Sequence, residues 1–103
     1  MSKYNARRVV TEEGAFDSQR EYRRWCELKL LEKVGEISDL KRQVKFELIP
    51  KMGRDRATYF VADFEYMANG NRVVEDSKGY RNRLYLLKRK MMKRVHGIII
   101  LET

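Results

Sequence analysis

Two strand-like stretches, Thr58 to Tyr66, rich in aromatic and β-branched residues, and the alternating Arg72 to Lys78, flank the tripeptide Asn69-Gly70-Asn71. Asn-Gly between two such segments favours a tight β-hairpin turn, because both residues accept positive φ. The two stretches are therefore expected to lie side by side as antiparallel strands. Ahead of them, Gln43 to Ile49 alternates as well. Val44, Phe46 and Leu48 point one way and Lys45 and Glu47 the other, the pattern of a half-buried strand. Pro50 to Ala57 reads as a polar loop containing Gly53. The centre of the chain is thus a three-stranded antiparallel meander.

A helix is expected on either side of the meander. Phe16-Asp17-Ser18 opens the first, with Asp17 or Ser18 as N-cap and Gly35 as its stop. Tyr22, Trp25, Cys26, Leu28, Leu30, Leu31 and Val34 give it a wide apolar face, on which Cys26 reads as a small core residue. The second helix runs from about Asn82 to Val95, and Gly97 ends it. Leu84, Leu87, Met91 and Val95 follow the spacing of one buried stripe. Ile98 to Leu101 then reads as a short strand covered on both faces, joining the sheet parallel to a neighbour. Residues 1–15 are basic and irregular, an N-terminal arm carrying Lys3, Arg7 and Arg8. The result is an α/β chain of order α-β-β-β-α-β, a mixed sheet with flanking helices in a single domain over residues 1–103.

With 43% hydrophobic residues the chain can pack a core. Its 23 Lys and Arg against 15 Asp and Glu leave a formal charge of +8. That excess favours a polyanionic partner, nucleic acid first and an acidic membrane surface second. The bland alternative is a basic protein with no such partner. One Cys and one His exclude an internal disulfide and a zinc cluster. The N-terminus has no apolar run of signal-peptide length, and no stretch approaches the ~20 apolar residues of a membrane span. A cytoplasmic location without membrane attachment is expected.

The informative feature is a conflict. Asp63 falls within an apolar strand, Tyr59-Phe60-Val61-Ala62-Asp63-Phe64. In the next strand, period two puts Val74, Asp76 and Lys78 on one face and Val73, Glu75 and Ser77 on the other. Aspartate is depleted in strands, and buried charge is costly unless paired or metal-bound. Two carboxylates on adjacent strands repel, and a hard cation such as Mg²⁺ would relieve the repulsion. The alternative is an ordinary cross-strand salt bridge between Asp63 and Lys78, with Asp76 in solvent. Glu21 is a fourth candidate, on the side of the first helix that carries Trp25 and Leu28. Ser18-Gln19-Arg20-Glu21 also fits the capping box, in which Glu21 simply caps the helix.

Asp63 followed by Asp76-x-Lys78 resembles the signature of the PD-(D/E)XK nucleases, in the element order of that superfamily. More narrowly, SKYNARRV, FDSQREYRRWCELKLLEKVGEISDLKRQVKFELIP, ADFEY and VVEDSKG resemble a family of small phage proteins similar to phage Holliday-junction resolvases, described mostly as a domain of unknown function. The resemblance implies a restriction-endonuclease-like core. It implies that Asp63, Asp76 and Glu21 hold Mg²⁺ or Mn²⁺, with Lys78 as the catalytic lysine. Ala62 stands where the superfamily's motif has proline. Glu75 also precedes the lysine, but alternation favours Asp76, which shares a face with Lys78.

What the resemblance implies is a phage or prophage endonuclease acting on branched DNA in the host cytoplasm, as a homodimer. A non-catalytic DNA-binding accessory protein, or a nuclease with a nicking or restriction-like role, would share most of these features. The second helix offers Arg83, Lys88, Arg89 and Lys90 to DNA phosphates, with Tyr80 and Arg81 just after the catalytic strand and Arg7 and Arg8 on the arm. A solvated helix face explains the same charges. His96, at a helix end, is expected to cap or to meet the helix dipole.

Overall fold

The computed structural model describes residues 7–78 and 80–103. Lys3 of the expected arm and Gly79 lie outside the described residues. The elements are β1 (Val9–Thr11), β2 (Gly14–Phe16), α1 (Gln19–Lys33), β3 (Ser38–Ile49), β4 (Thr58–Ala68), β5 (Asn71–Asp76), α2 (Arg83–His96) and β6 (Leu101–Glu102). A four-stranded mixed sheet has the order β3-β4-β5-β6, and β1-β2 form a separate antiparallel hairpin. The first three strands of the large sheet are antiparallel and β6 is parallel to β5. Asn69 and Gly70 both take positive φ, 53° and 78°, which makes the β4–β5 connection the twist-matched hairpin turn.

The sheet and the two helices enclose two apolar clusters. Phe46, Leu48, Phe60, Ala62, Val74 and Ile100 pack with Tyr85 and Met92 of α2. Leu28 of α1 packs with Ile37, Phe64 and Tyr66, against which Trp25, Leu31 and Val73 are laid. Trp25 stacks nearly parallel to Phe64, ring centres 6.1 Å apart. The two faces of β5 thus serve different helices. Val73 belongs to the α1 cluster, and Glu75 is bonded to Arg24 of α1; Val74 belongs to the α2 cluster.

Both helices have the caps their sequences encode. Ser18 Oγ accepts from the Glu21 amide at 3.1 Å, and Asn82 Oδ1 from the Tyr85 amide at 2.7 Å. Gly97 closes α2 in the left-handed conformation that a residue with a side chain disfavours.

Several expectations are corrected. Residues 9–16 form a hairpin where an irregular arm was expected. Its Phe16 is buried under Tyr22, Trp25 and Arg42, and its Glu13 bonds Trp25 and Lys29. β3 begins at Ser38 rather than Gln43, with left-handed backbone at Asp39 and Gln43. Cys26 is exposed, because the buried line of α1 runs through Glu21 and Leu28. Leu30 and Val34 face solvent for the same reason.

The stripe on α2 is rotated. Tyr85 and Met92 are buried, whereas Leu84, Leu87 and Val95 are 59%, 52% and 49% exposed. Lys88 and Arg89 are half-buried. Ile98 to Leu101 is not covered on both faces either. Ile100 is buried, but Ile99 is 76% exposed and Leu101 46%, and the paired strand is only Leu101–Glu102.

Candidate metal and phosphodiester site

β4 and β5 separate where their carboxylates meet. The ladder between them ends at the pair Phe64 and Glu75. One residue beyond, side chains replace the backbone ladder. The Asp63 amide donates to Asp76 Oδ1 at 3.1 Å, and the Ser77 amide donates to Asp63 Oδ2 at 2.8 Å. This crossed pair of bonds holds the two carboxylates beside each other at the splayed end of the hairpin. Asp76 is 1% exposed.

Lys78 follows just past β5. Its Nζ lies 2.9 Å from Asp76 Oδ2, and 4.5 Å from the centre of the Tyr85 ring on α2. The approach to Asp76 is an ion pair outside hydrogen-bond geometry, so Oδ2 is buried without a hydrogen-bond donor. Tyr85 is held in turn by a 2.6 Å bond from its hydroxyl to Glu102. The expected sharing of a face by Asp76 and Lys78 is therefore observed, and the ion-pair partner of Lys78 is Asp76, not Asp63.

Glu21 caps the start of α1 with one oxygen and turns the other to β3. Its Oε1 accepts from the Asp17 amide at 3.1 Å, one residue further back than a regular capping box. Its Oε2 is turned the other way, 3.3 Å from Gln43 Nε2 and 3.7 Å from the Arg42 guanidinium. Arg42 is fixed over the Phe16 ring and donates to Ala15 O at 2.7 Å. Gln43 reaches Glu21 from a backbone with φ of 52° in mid-strand, a conformation that costs about 1–3 kcal/mol for a residue with a side chain. Neither Arg42 nor Gln43 was foreseen. Arg42 lies just ahead of the expected strand and Gln43 at its first position, where alternation says nothing of α1.

The electrostatics tie the carboxylates together. Burial pushes Asp63 up to about 8, and the charges of Asp76 and Glu21 push the same way, against the Ser77 amide. Glu21 is raised as well, by burial first, with Asp76 contributing. Three acids thus share one field in a weakly solvated place.

Among the described residues, no three His, Cys, Asp or Glu side chains already converge as a ligand shell. The donor chemistry nevertheless fits a hard divalent cation, because the oxygens are carboxylate, mutually repelling, and in Asp76 Oδ2 left without a donor.

Glu75, the competing acid beside the motif lysine, is elsewhere. It is fully buried on the α1 side, where Arg24 grips it with two bonds of 2.8 and 2.7 Å and the Tyr66 hydroxyl adds a third. Around the cluster, Arg81 and Arg89 are both taken up by Glu102, at 3.4 and 3.1 Å. Arg7, Arg8, Tyr80, Arg83 and Lys90 are exposed.

Residues 1–99 match the family model described as "Protein of unknown function (DUF1064)". The chain belongs to this family. The match spans Glu21, Asp63, Asp76 and Lys78, and leaves out Glu102 and Thr103. No curated protein and no solved structure matches the chain. In this DUF1064 chain, no helix of the described residues is long and apolar enough to cross a membrane.

Proposed function

We propose that the chain is a metal-dependent endonuclease acting on branched DNA, of which a four-way junction is the leading candidate. Asp76 carries the reading. It is a buried carboxylate with one oxygen lacking a hydrogen-bond donor, set against a lysine and in the field of two other acids, in a chain of charge +8. Asp63, Asp76 and Glu21 Oε2 would hold Mg²⁺, with Mn²⁺ as a substitute. A bound divalent cation supplies Lewis-acid stabilisation of phosphate charge and activates the attacking water. Lys78, backed by the Tyr85 ring, stabilises negative charge that develops on the phosphoryl oxygens. Burial and the neighbouring acids favour the protonated form of Asp63, so a cation held there would displace that proton.

Cutting a junction requires two incisions, so a symmetric homodimer with two sites is the natural form. The outward row of Leu84, Leu87 and Val95 supports it, as apolar area for a second copy to cover. A second reading, a DNA-binding protein without catalysis, draws on the amide bonds that already occupy two of the four oxygens of Asp63 and Asp76. The experiment is cleavage of four-way junction and linear duplex DNA, with Mg²⁺ or with chelator. Metal-dependent cleavage is expected. Binding without cleavage of either DNA favours the second reading.

A further inference from the structure

On the α1 side of β5, away from Lys78, a second charged feature adjoins the carboxylate cluster. Arg20, Arg23, Arg24 and Glu27 lie on one face of α1 by their spacing of three and four. With Ser77 and Thr103 they line an open cleft of about 510 Å³. Three guanidinium groups stand there against one carboxylate. Arg24 is the fixed member, because Glu75 holds it from behind and Glu27 lies 3.6 Å from its Nη1. Arg20 and Arg23 are exposed and, among the described residues, have no ion-pair or hydrogen-bond partner. The Ser77 and Thr103 hydroxyls, 3.2 Å apart, add neutral polar groups to the lining.

Ser77 joins the cleft to the site. It is the residue between Asp76 and Lys78, its amide holds Asp63, and it lines the cleft. A phosphodiester strand laid across the end of β5 would have one phosphate at Lys78 and a neighbouring one at Ser77. Planar guanidinium forks suit phosphate oxygens, and two unpaired ones beside hydroxyls form a better seat than scattered lysines do.

We infer that this cleft is a phosphate subsite for the DNA backbone, taking a phosphate next to the one at Lys78. The inference rests on the reading of the chain as a DNA enzyme, and gives Arg20 and Arg23 the role of holding the strand across the end of β5.

The test measures DNA affinity of the full chain against salt, in chelator, by fluorescence anisotropy with duplex and four-way junction. Arg20→Gln/Arg23→Gln is compared with Arg54→Gln/Arg56→Gln, which removes the same charge from the β3–β4 loop. The cleft pair is expected to lower affinity about tenfold and the salt slope by about 1, and the loop pair to do much less. In parallel, inorganic phosphate added to the wild type should shift the amide resonance of Ser77. Equal losses in the two double variants, or none in the cleft pair, overturn the inference. If the wild type binds neither DNA, the subsite falls as well. If the cleft pair alone weakens binding but the wild type cuts nothing with Mg²⁺, the subsite stands and the nuclease reading fails. If the wild type cuts and the cleft pair binds and cuts equally well, the reverse holds.

Discussion

Asp63→Asn separates what the carboxylate does for the fold from what it does for a cation. In the folded chain Asp63 holds its proton up to about 8, against an ordinary value of 3.8. The folded state therefore binds more protons than the unfolded one between these limits. The stability Asp63 contributes is fully present below about pH 4 and is lost as pH rises through about 8. A tenfold change in proton affinity is about 1.4 kcal/mol, so the ceiling on the loss is about 5–6 kcal/mol. Solvent at the splayed strand ends reduces this to about 2 kcal/mol. Asparagine keeps an acceptor for the Ser77 amide and offers its NH₂ to Asp76, without the charge. In chelator at pH 8 the variant should be about 2 kcal/mol more stable than the wild type, about 10 °C in Tm. At pH 5 the difference should shrink by more than half. Mg²⁺ at pH 8 should raise the wild-type midpoint and leave the variant's nearly unchanged. Urea unfolding at the two pH values reads all of this. A variant less stable than the wild type at both would refute the claim that Asp63 is an electrostatic burden on the metal-free fold.

Arg24→Ala strands the fully buried Glu75 and should cost about 3–5 kcal/mol, seen as a large fall in the urea midpoint. On α2, Met92→Ala should cost about 2–5 kcal/mol. Leu87→Gln, in contrast, should change monomer stability by no more than about 0.5 kcal/mol. The same Leu87→Gln variant should weaken self-association in sedimentation velocity. An unchanged association state would remove the α2 row from the dimer.

Much of the frame was legible because it rests on local rules. Asn69-Gly70 dictated the hairpin, Ser18 was one of two N-cap candidates for the first helix, and Gly97 marked the end of the second. Strand alternation placed Asp76 with Lys78 and sent Glu75 to the other face. The buried face of α2 was not legible from apolar spacing, which pointed to Leu84, Leu87, Met91 and Val95. Leu84-Leu87-Val95 is the more apolar, but Tyr85 and Met92 win the core, and Tyr85 bonds Glu102 from there. The β1–β2 hairpin was missed because its strands have three residues each and draw their stability from Phe16 and Glu13 packing on α1. Arg42 and Gln43 were missed for a related reason. Their approach to Glu21 depends on a left-handed residue in mid-strand, which alternation does not foresee.

The most direct measurement compares wild type with Asp76→Asn on a four-way junction and on linear duplex, in Mg²⁺, recording binding and cleavage together. The account predicts junction cleavage by the wild type that chelator abolishes. It predicts that Asp76→Asn binds the junction at least as tightly and cuts it at least a hundredfold more slowly, a loss of about 2.7 kcal/mol in transition-state stabilisation. Cleavage by Asp76→Asn at the wild-type rate, or none by the wild type on any DNA, would contradict it.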